Sequence, residues 1–172
     1  AADNTGLPPL HMAAAADQDG AVRLLLEHKA VLDARNAGGD TPLAMAAARG
    51  GARSAARLLE AGASTEAANA YGRTPLLLVA RESGSADLAR LLLDHKAHVD
   101  ARDTSGDTPL TLAAWRGFAG VADVLIERGA TVPATGRAAE SLLHSAAGKG
   151  LDRLFAALVV KGADLSIRTN RG

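Results

Sequence analysis

The chain has 172 residues, with 19 basic and 19 acidic side chains and no cysteine. The balanced charge excludes the electrostatic footprint of a nucleic-acid or anionic-membrane binder, and the absence of cysteine excludes a disulfide scaffold or a thiolate metal site. Apolar residues make up 48% but aromatic residues only 2%, which points away from disorder and toward closely packed, alanine-rich helices.

The predicted elements recur at a fixed step along the chain. The first unit, about 3–34, opens on a turn from Asp3 to Gly6. Pro8-Pro9-Leu10-His11 then starts a helix, Ala13-Ala14 give it a slim face, and Asp17 stands where it ends. Leu24-Leu25-Leu26 mark a second helix, closed by Lys29-Ala30. The second unit, about 36–67, repeats this order with Asn36 to Gly39, Thr41-Pro42-Leu43, Ala46-Ala47, Gly50 and Gly62-Ala63. The third, about 69–101, has Asn69 to Gly72, Thr74-Pro75-Leu76, Val79-Ala80, Gly84, Leu91-Leu92-Leu93 and Lys96-Ala97. It carries one extra residue, expected in the turn between its helices around Arg81 to Gly84. The fourth, about 103–134, has Asp103 to Gly106, Thr108-Pro109-Leu110, Ala113-Ala114, Gly117 and Gly129-Ala130.

The fifth unit, about 136–167, departs from the pattern. Its anchor is Ser141-Leu142-Leu143-His144, followed by Ala146-Ala147, Gly150 and Gly162-Ala163. Ala139 replaces the turn glycine and Leu142 the proline, so the segment from Gly136 to Glu140 is expected to be irregular. Arg168-Thr169-Asn170-Arg171-Gly172 align with Arg102 to Gly106, the start of a truncated sixth unit. Leu154, Phe155, Leu158 and Val159 on the last helix are expected to lack a covering neighbour. That end, and a first residue other than Met, read as a segment of a longer protein.

Each part of the unit has a physical role. Thr or Ser accepts at a helix N-terminus, and Pro fits the first helical position, where its missing N–H is not needed. The mid-unit glycine ends the first helix, and the closing glycine suits a left-handed C-cap. Lys29 and Lys96 break that rule, so those two helix ends are expected to be strained or differently capped. Asp/Asn-x-x-Gly marks a tight turn.

Five in-register units of this kind resemble the ankyrin-repeat family over nearly the whole of residues 1–172, read as a single domain. The resemblance implies an all-α solenoid of stacked helix-turn-helix units with short finger-like turns or hairpins. It also implies a protein-interaction module or scaffold that binds through a concave groove lined by the fingers and the first helices. The alternative is a regulatory or inhibitory segment of a larger multidomain enzyme or channel. His11 and His144 match the family's histidine and are expected to hydrogen-bond the neighbouring turn.

No chemistry-bearing constellation competes with that reading. His28 and His95 fall near second-helix ends, where the helix dipole favours them, and His98 lies in the next turn. Ala61 of the second unit separates the first two, so no metal site is expected. No Ser, His and acid stand in a recognisable order, and the paired glycines lack a phosphate-loop context. The expectation is therefore no catalysis, no cofactor and no metal. No apolar run is long enough to span a membrane and no signal peptide opens the chain, so a soluble protein is expected, cytoplasmic ahead of secreted or periplasmic.

The groove positions are the two residues inside each turn, the one before the Thr, and the two after the small pair. The only Tyr and the only Trp, Tyr71 and Trp115, fall there in adjacent units, with Arg49, Arg73, Arg81, Arg116 and Asp107. Trp, Tyr and Arg are the types enriched at binding hot spots. Tyr71, Arg73, Arg81 and Trp115 are expected to converge on one patch with Arg116 and Asp107 at its margin, suited to an acidic or aromatic-containing segment of a protein partner. A monomer is expected, with end-to-end association through the uncapped fifth unit as the other possibility.

Overall fold

The computed structural model describes residues 7–133 and 135–166. Among these are ten helices and no strand. In chain order they are α1 Pro9–Ala15, α2 Asp19–Glu27, α3 Pro42–Arg49, α4 Ala52–Glu60, α5 Pro75–Leu78, α6 Ala86–Asp94, α7 Pro109–Arg116, α8 Ala119–Glu127, α9 Gly136–Lys149 and α10 Asp152–Val160, with a π-helical turn, Val79–Ser83, continuing α5. The helices pack as antiparallel pairs. The first helices α1, α3, α5, α7 and α9 line up in one row, and α2, α4, α6, α8 and α10 in a second. The result is an all-helical solenoid.

The core lies between the rows. Leu43, Leu58, Leu76, Leu88, Leu92, Leu110, Leu125, Leu142 and Leu154 are fully buried, each worth roughly 1.5–3 kcal/mol of burial. The first-helix alanines Ala14, Ala46, Ala47, Ala80, Ala113, Ala114 and Ala146 are buried with them, so neighbouring first helices meet across methyl groups. No Phe, Tyr or Trp ring is buried among the described residues. Phe118, half-buried, sits so close over Gly84 that a Cβ there would lie 2.7 Å from its ring.

The helix ends follow the local chemistry. Thr41 Oγ1 accepts from Ala44 N, and Thr108 forms a capping box with Thr111. Thr74 makes no such bond, and its buried hydroxyl has no partner. Gly50, Gly84, Gly117 and Gly150 end the first helices in the left-handed conformation. At the second-helix ends Gly62, Gly129 and Gly162 have positive φ, and Lys29 and Lys96 adopt it too, at +61° and +66°. The strain expected at those two lysines is present. Asp17, which replaces the mid-unit glycine, is likewise left-handed at φ +52°.

Three expectations are corrected. The extra residue of the third unit does not lengthen the turn between the helices; it is absorbed inside the first helix as the π-helical turn, which lets Gly84 keep its capping place. His11 Nε2 is 2.9 Å from Asp40 O on the neighbouring turn, but His144 Nδ1 bonds Glu140 O on its own helix. No following turn lies within the described residues to receive it. Leu154 and Leu158 are buried against their own unit and the one before; the exposed apolar residues at that end are Val159, Val160 and Leu165, with Phe155 half-buried. The sixth-unit residues 168–172, and the first turn from Asp3 to Gly6, lie outside the described residues.

Candidate interaction surface

The fingers are built by one device repeated three times. Asn36 Oδ1 accepts from Gly38 N and Asp40 N, Asn69 Oδ1 from Tyr71 N and Arg73 N, and Asp103 Oδ1 from Ser105 N and Asp107 N. Each finger then bonds the next. Ala70 N donates to Gly38 O at 3.1 Å, and Thr104 N to Tyr71 O at 3.0 Å. Asn69 Nδ2 donates to Asp40 Oδ1 at 2.8 Å, and Arg73 Nε to Asp103 Oδ2 at 3.5 Å.

The fifth unit has no finger. Helix α9 starts at Gly136 and runs fourteen residues, taking up the finger positions Arg137, Ala138 and Glu140. With Ala139 and Leu142 in place of the glycine and proline, nothing stops the helix from extending toward its N-terminus. The irregularity expected at Gly136 to Glu140 takes this form.

A second row of cross-unit bonds runs along the loops that follow the second helices. Asp33 accepts from Ser64 N, Glu66 from His98 N, and Asp100 from Thr131 N. The next residue in that series is Pro133, which has no acceptor side chain. A third row ties the first-helix ends: Ser83 Oγ donates to Ala47 O, Arg116 Nε to Arg81 O, and Lys149 Nζ to Trp115 O. On the second helices, Arg57 pairs with Asp19, Arg128 with Asp94, and Glu127 takes both Arg90 and Arg153. The two arginine hydrogen bonds, that of Arg153 first, hold the Glu127 carboxyl below the usual range.

The seven singled-out residues fall into distinct settings. Tyr71 is 59% exposed at the tip of the third finger, and the Arg73 guanidinium stacks over its ring, 5.0 Å from the centroid. Arg73 is itself largely covered and is used internally, through that ring and Asp103. Trp115 is 44% exposed at the end of α7, and its indole N–H donates to Ser141 Oγ at 3.1 Å, so it rests on α9. Arg116, next to it, reaches the other way, to Arg81 O at 2.6 Å. Asp107 lies within electrostatic reach of Arg81 and Arg73; burial, and then the nearby Asp103 carboxylate, raise its pKa above the usual value. Arg49 is exposed in the last turn of α3. The geometry thus joins Tyr71 with Arg73 and links Arg73, Arg81, Asp107 and Arg116 across the third and fourth units, while the polar contact of Trp115 is to the fifth.

Sequence reasoning placed Ser141 in the anchor of the fifth unit and Lys149 among the groove positions, but did not foresee that Ser141 supports Trp115 or that Lys149 caps α7. Their signal was their place in the step: Lys149 occupies the position of Arg116 one unit later. Among the described residues no group of three or more His or carboxylates is placed to hold a metal ion, and no helix is long and apolar enough to cross a membrane. His28 and His95 are the C-cap residues of α2 and α6.

A family model of ankyrin repeats in three copies matches residues 1–69 and again 57–136. A search of curated proteins found no significant match. The paired helices in two rows, the capped Thr-Pro starts and the bonded fingers agree with the family model, and the chain belongs to the ankyrin-repeat family.

Proposed function

We propose that this chain binds a protein partner on the surface formed by its fingers and first-helix ends, with Trp115 as the anchor and Tyr71, Arg49, Arg73, Arg81, Arg116 and Asp107 around it. The observation that carries the reading is the exposure of both large aromatic side chains, Trp115 and Tyr71, on an otherwise alanine-rich scaffold. Exposed rings held in place, Trp115 on Ser141 of α9 and Tyr71 under the Arg73 guanidinium, add contact area at little cost in conformational entropy. Arg49 and Arg81, close to acidic or aromatic groups of a partner, would form the charged margin.

The test is affinity purification with mass spectrometry, followed by calorimetry on the partner so identified. Trp115→Ala is expected to weaken binding by about 2 kcal/mol or more, and Trp115→Phe by less. Loss of the Ser141 hydrogen bond accounts for a stability change of about 1 kcal/mol at most. If Trp115→Ala unfolds the chain while Trp115→Phe binds as the parent does, Trp115 is a packing residue and the reading fails.

A further inference from the structure

The row of fingers ends early, and three contacts are left open together where it ends. Between the second and third fingers, a carbonyl (Gly38 O) receives an N–H, an end-of-finger side chain (Asp40) receives an amide, and the next finger packs onto the turn glycine, so that a Cβ at Gly39 would lie 3.0 Å from Ala70 N. Between the third and fourth fingers the same three contacts recur. Tyr71 O receives Thr104 N, Arg73 meets Asp103, and a Cβ at Gly72 would lie 2.9 Å from Thr104 N.

On the far side of the fourth finger, among the described residues, no backbone N–H reaches Ser105 O and no hydrogen-bond donor reaches the Asp107 carboxylate. A Cβ built on Gly106 meets nothing within 4 Å. Gly39 and Gly72 are partly covered, while Gly106 is exposed. The cause is the helical course of residues 136–140 in α9, which removes the segment that would have supplied all three contacts.

We propose that this open edge of the fourth finger is a docking seat for a turn of a protein partner of the Asn-x-x-Gly kind, whose side-chain amide donates to Asp107 and whose next backbone N–H donates to Ser105 O. The occupant is specified by the chain itself. The second and fourth fingers both end in Asp, and the segment that sits on the second begins with Asn69, whose amide meets Asp40. The third finger ends in Arg73 and takes an acid instead. An amide donor therefore fits the fourth finger and a carboxylate does not. Asp107, half-buried beside Asp103, gains from any donor that supplies the missing bond. Such docking extends a row of backbone pairing by one member, as when a strand is added to a sheet edge. The proposal rests on the protein-binding reading given above and names a second contact for the same partner surface.

The probe is a synthetic capped peptide with the sequence of residues 67–74, the third finger, titrated into the isotope-labelled chain and followed by amide chemical shifts. The expected result is saturable shifts confined to residues 104–107 and their neighbours. Asp107→Ala in the chain, or Ala for Asn in the peptide, is expected to weaken binding about tenfold. Gly136→Asn with Ala139→Gly, which restores the turn signature of the fifth unit, is expected to fill the seat from within and abolish peptide binding. Shifts that are absent, that cluster on α1 or α10, or that are indifferent to Asp107→Ala would overturn the proposal. Shifts of the same amides that grow with protein concentration in the absence of peptide would give the seat to a second copy and also overturn it. If the peptide fails to bind while Trp115→Ala still weakens partner affinity, the seat falls and the protein-binding reading stands.

Discussion

Replacing Lys29 and Lys96 by glycine is expected to stabilise the chain, although glycine ordinarily weakens a helix interior. Both lysines end second helices with the same bonds as the glycines that hold the equivalent place. Lys29 N donates to Leu26 O and Ala30 N to Leu25 O; Lys96 N to Leu93 O and Ala97 N to Leu92 O; Gly62 N to Leu59 O and Ala63 N to Leu58 O. Only the side chain differs, and both lysines are exposed. A residue with a Cβ loses about 1–2 kcal/mol in the left-handed conformation. Glycine's greater freedom in the unfolded chain offsets about 0.5–1 kcal/mol of the relief. The lost positive charge near a helix C-terminus offsets about 0.3 kcal/mol more. The net gain is about 0.5 kcal/mol at each site. The two sites belong to different units separated by a third, so their effects add, to about 1 kcal/mol or 2–4 °C in Tm. Urea unfolding followed by far-UV circular dichroism measures this as a higher midpoint at constant slope. Gly62→Lys is the reverse experiment and, by the same balance, is expected to lose about 0.5 kcal/mol, and more to the extent that φ +92° is less open to a side chain than +61° or +66°. A double glycine variant less stable than the parent, or a Gly62→Lys variant as stable as it, would refute the reasoning.

Thr41→Ala removes the side-chain bond to Ala44 N and is expected to lower stability by about 1 kcal/mol, whereas Thr74→Val, at a buried hydroxyl with no partner, is expected to be neutral or stabilising in the same urea assay. Amides of α9 and α10 are expected to exchange faster than those of α3 to α8, because the junction of the fourth and fifth units lacks both the finger bond and an acceptor at Pro133; equal protection would contradict this. Acid is expected to remove the contributions of Asp19 and Glu127, whose pKa values the hydrogen bonds from Arg57 and Arg153 lower: their stabilisation is present above the ordinary carboxylate value and fades as pH falls through the lowered ones. Asp107 has the opposite sign. Its raised pKa means stability present below the ordinary value is lost as pH rises, so Asp107→Asn is expected to gain on the parent at neutral pH and to lose that gain below about pH 4, read from urea midpoints across pH.

The repeat was legible because its punctuation is chemical. Thr-Pro can only open a helix here, glycine marks each left-handed end, and a step of 33 or 34 aligns them. The strain at Lys29 and Lys96 was legible for the same reason: a side chain stands where the neighbouring units keep glycine. The location of the inserted residue was not, since a turn between helices and a widened helical turn consume one residue equally; the choice depends on Gly84 holding its place beneath Phe118. The extent of α9 was half legible. The missing glycine and proline announced that the finger would be irregular, but not that its residues would coil into the helix. The candidate patch was read from positions along the unit, which locate a residue in a row but not the direction its side chain takes. Trp115 turns toward Ser141, and Arg116 beside it turns back to Arg81.

The three rows of cross-unit bonds join each unit only to its immediate neighbours, at Asp33 to Ser64, Glu66 to His98 and Asp100 to Thr131 among others. A structure held in this way responds to tension as a stack of separable links. Pulled from its two ends, it is expected to yield where the links among the described residues are fewest, at the junction of the fourth and fifth units, where Pro133 supplies no acceptor and residues 136–140 are helical rather than a finger. Each released unit of about 33 residues lengthens the chain by roughly 110 Å when extended, on the order of 3.3 Å per residue. Under load the array is therefore expected to let out chain in steps, beginning at that junction, while the links between the second, third and fourth units still hold.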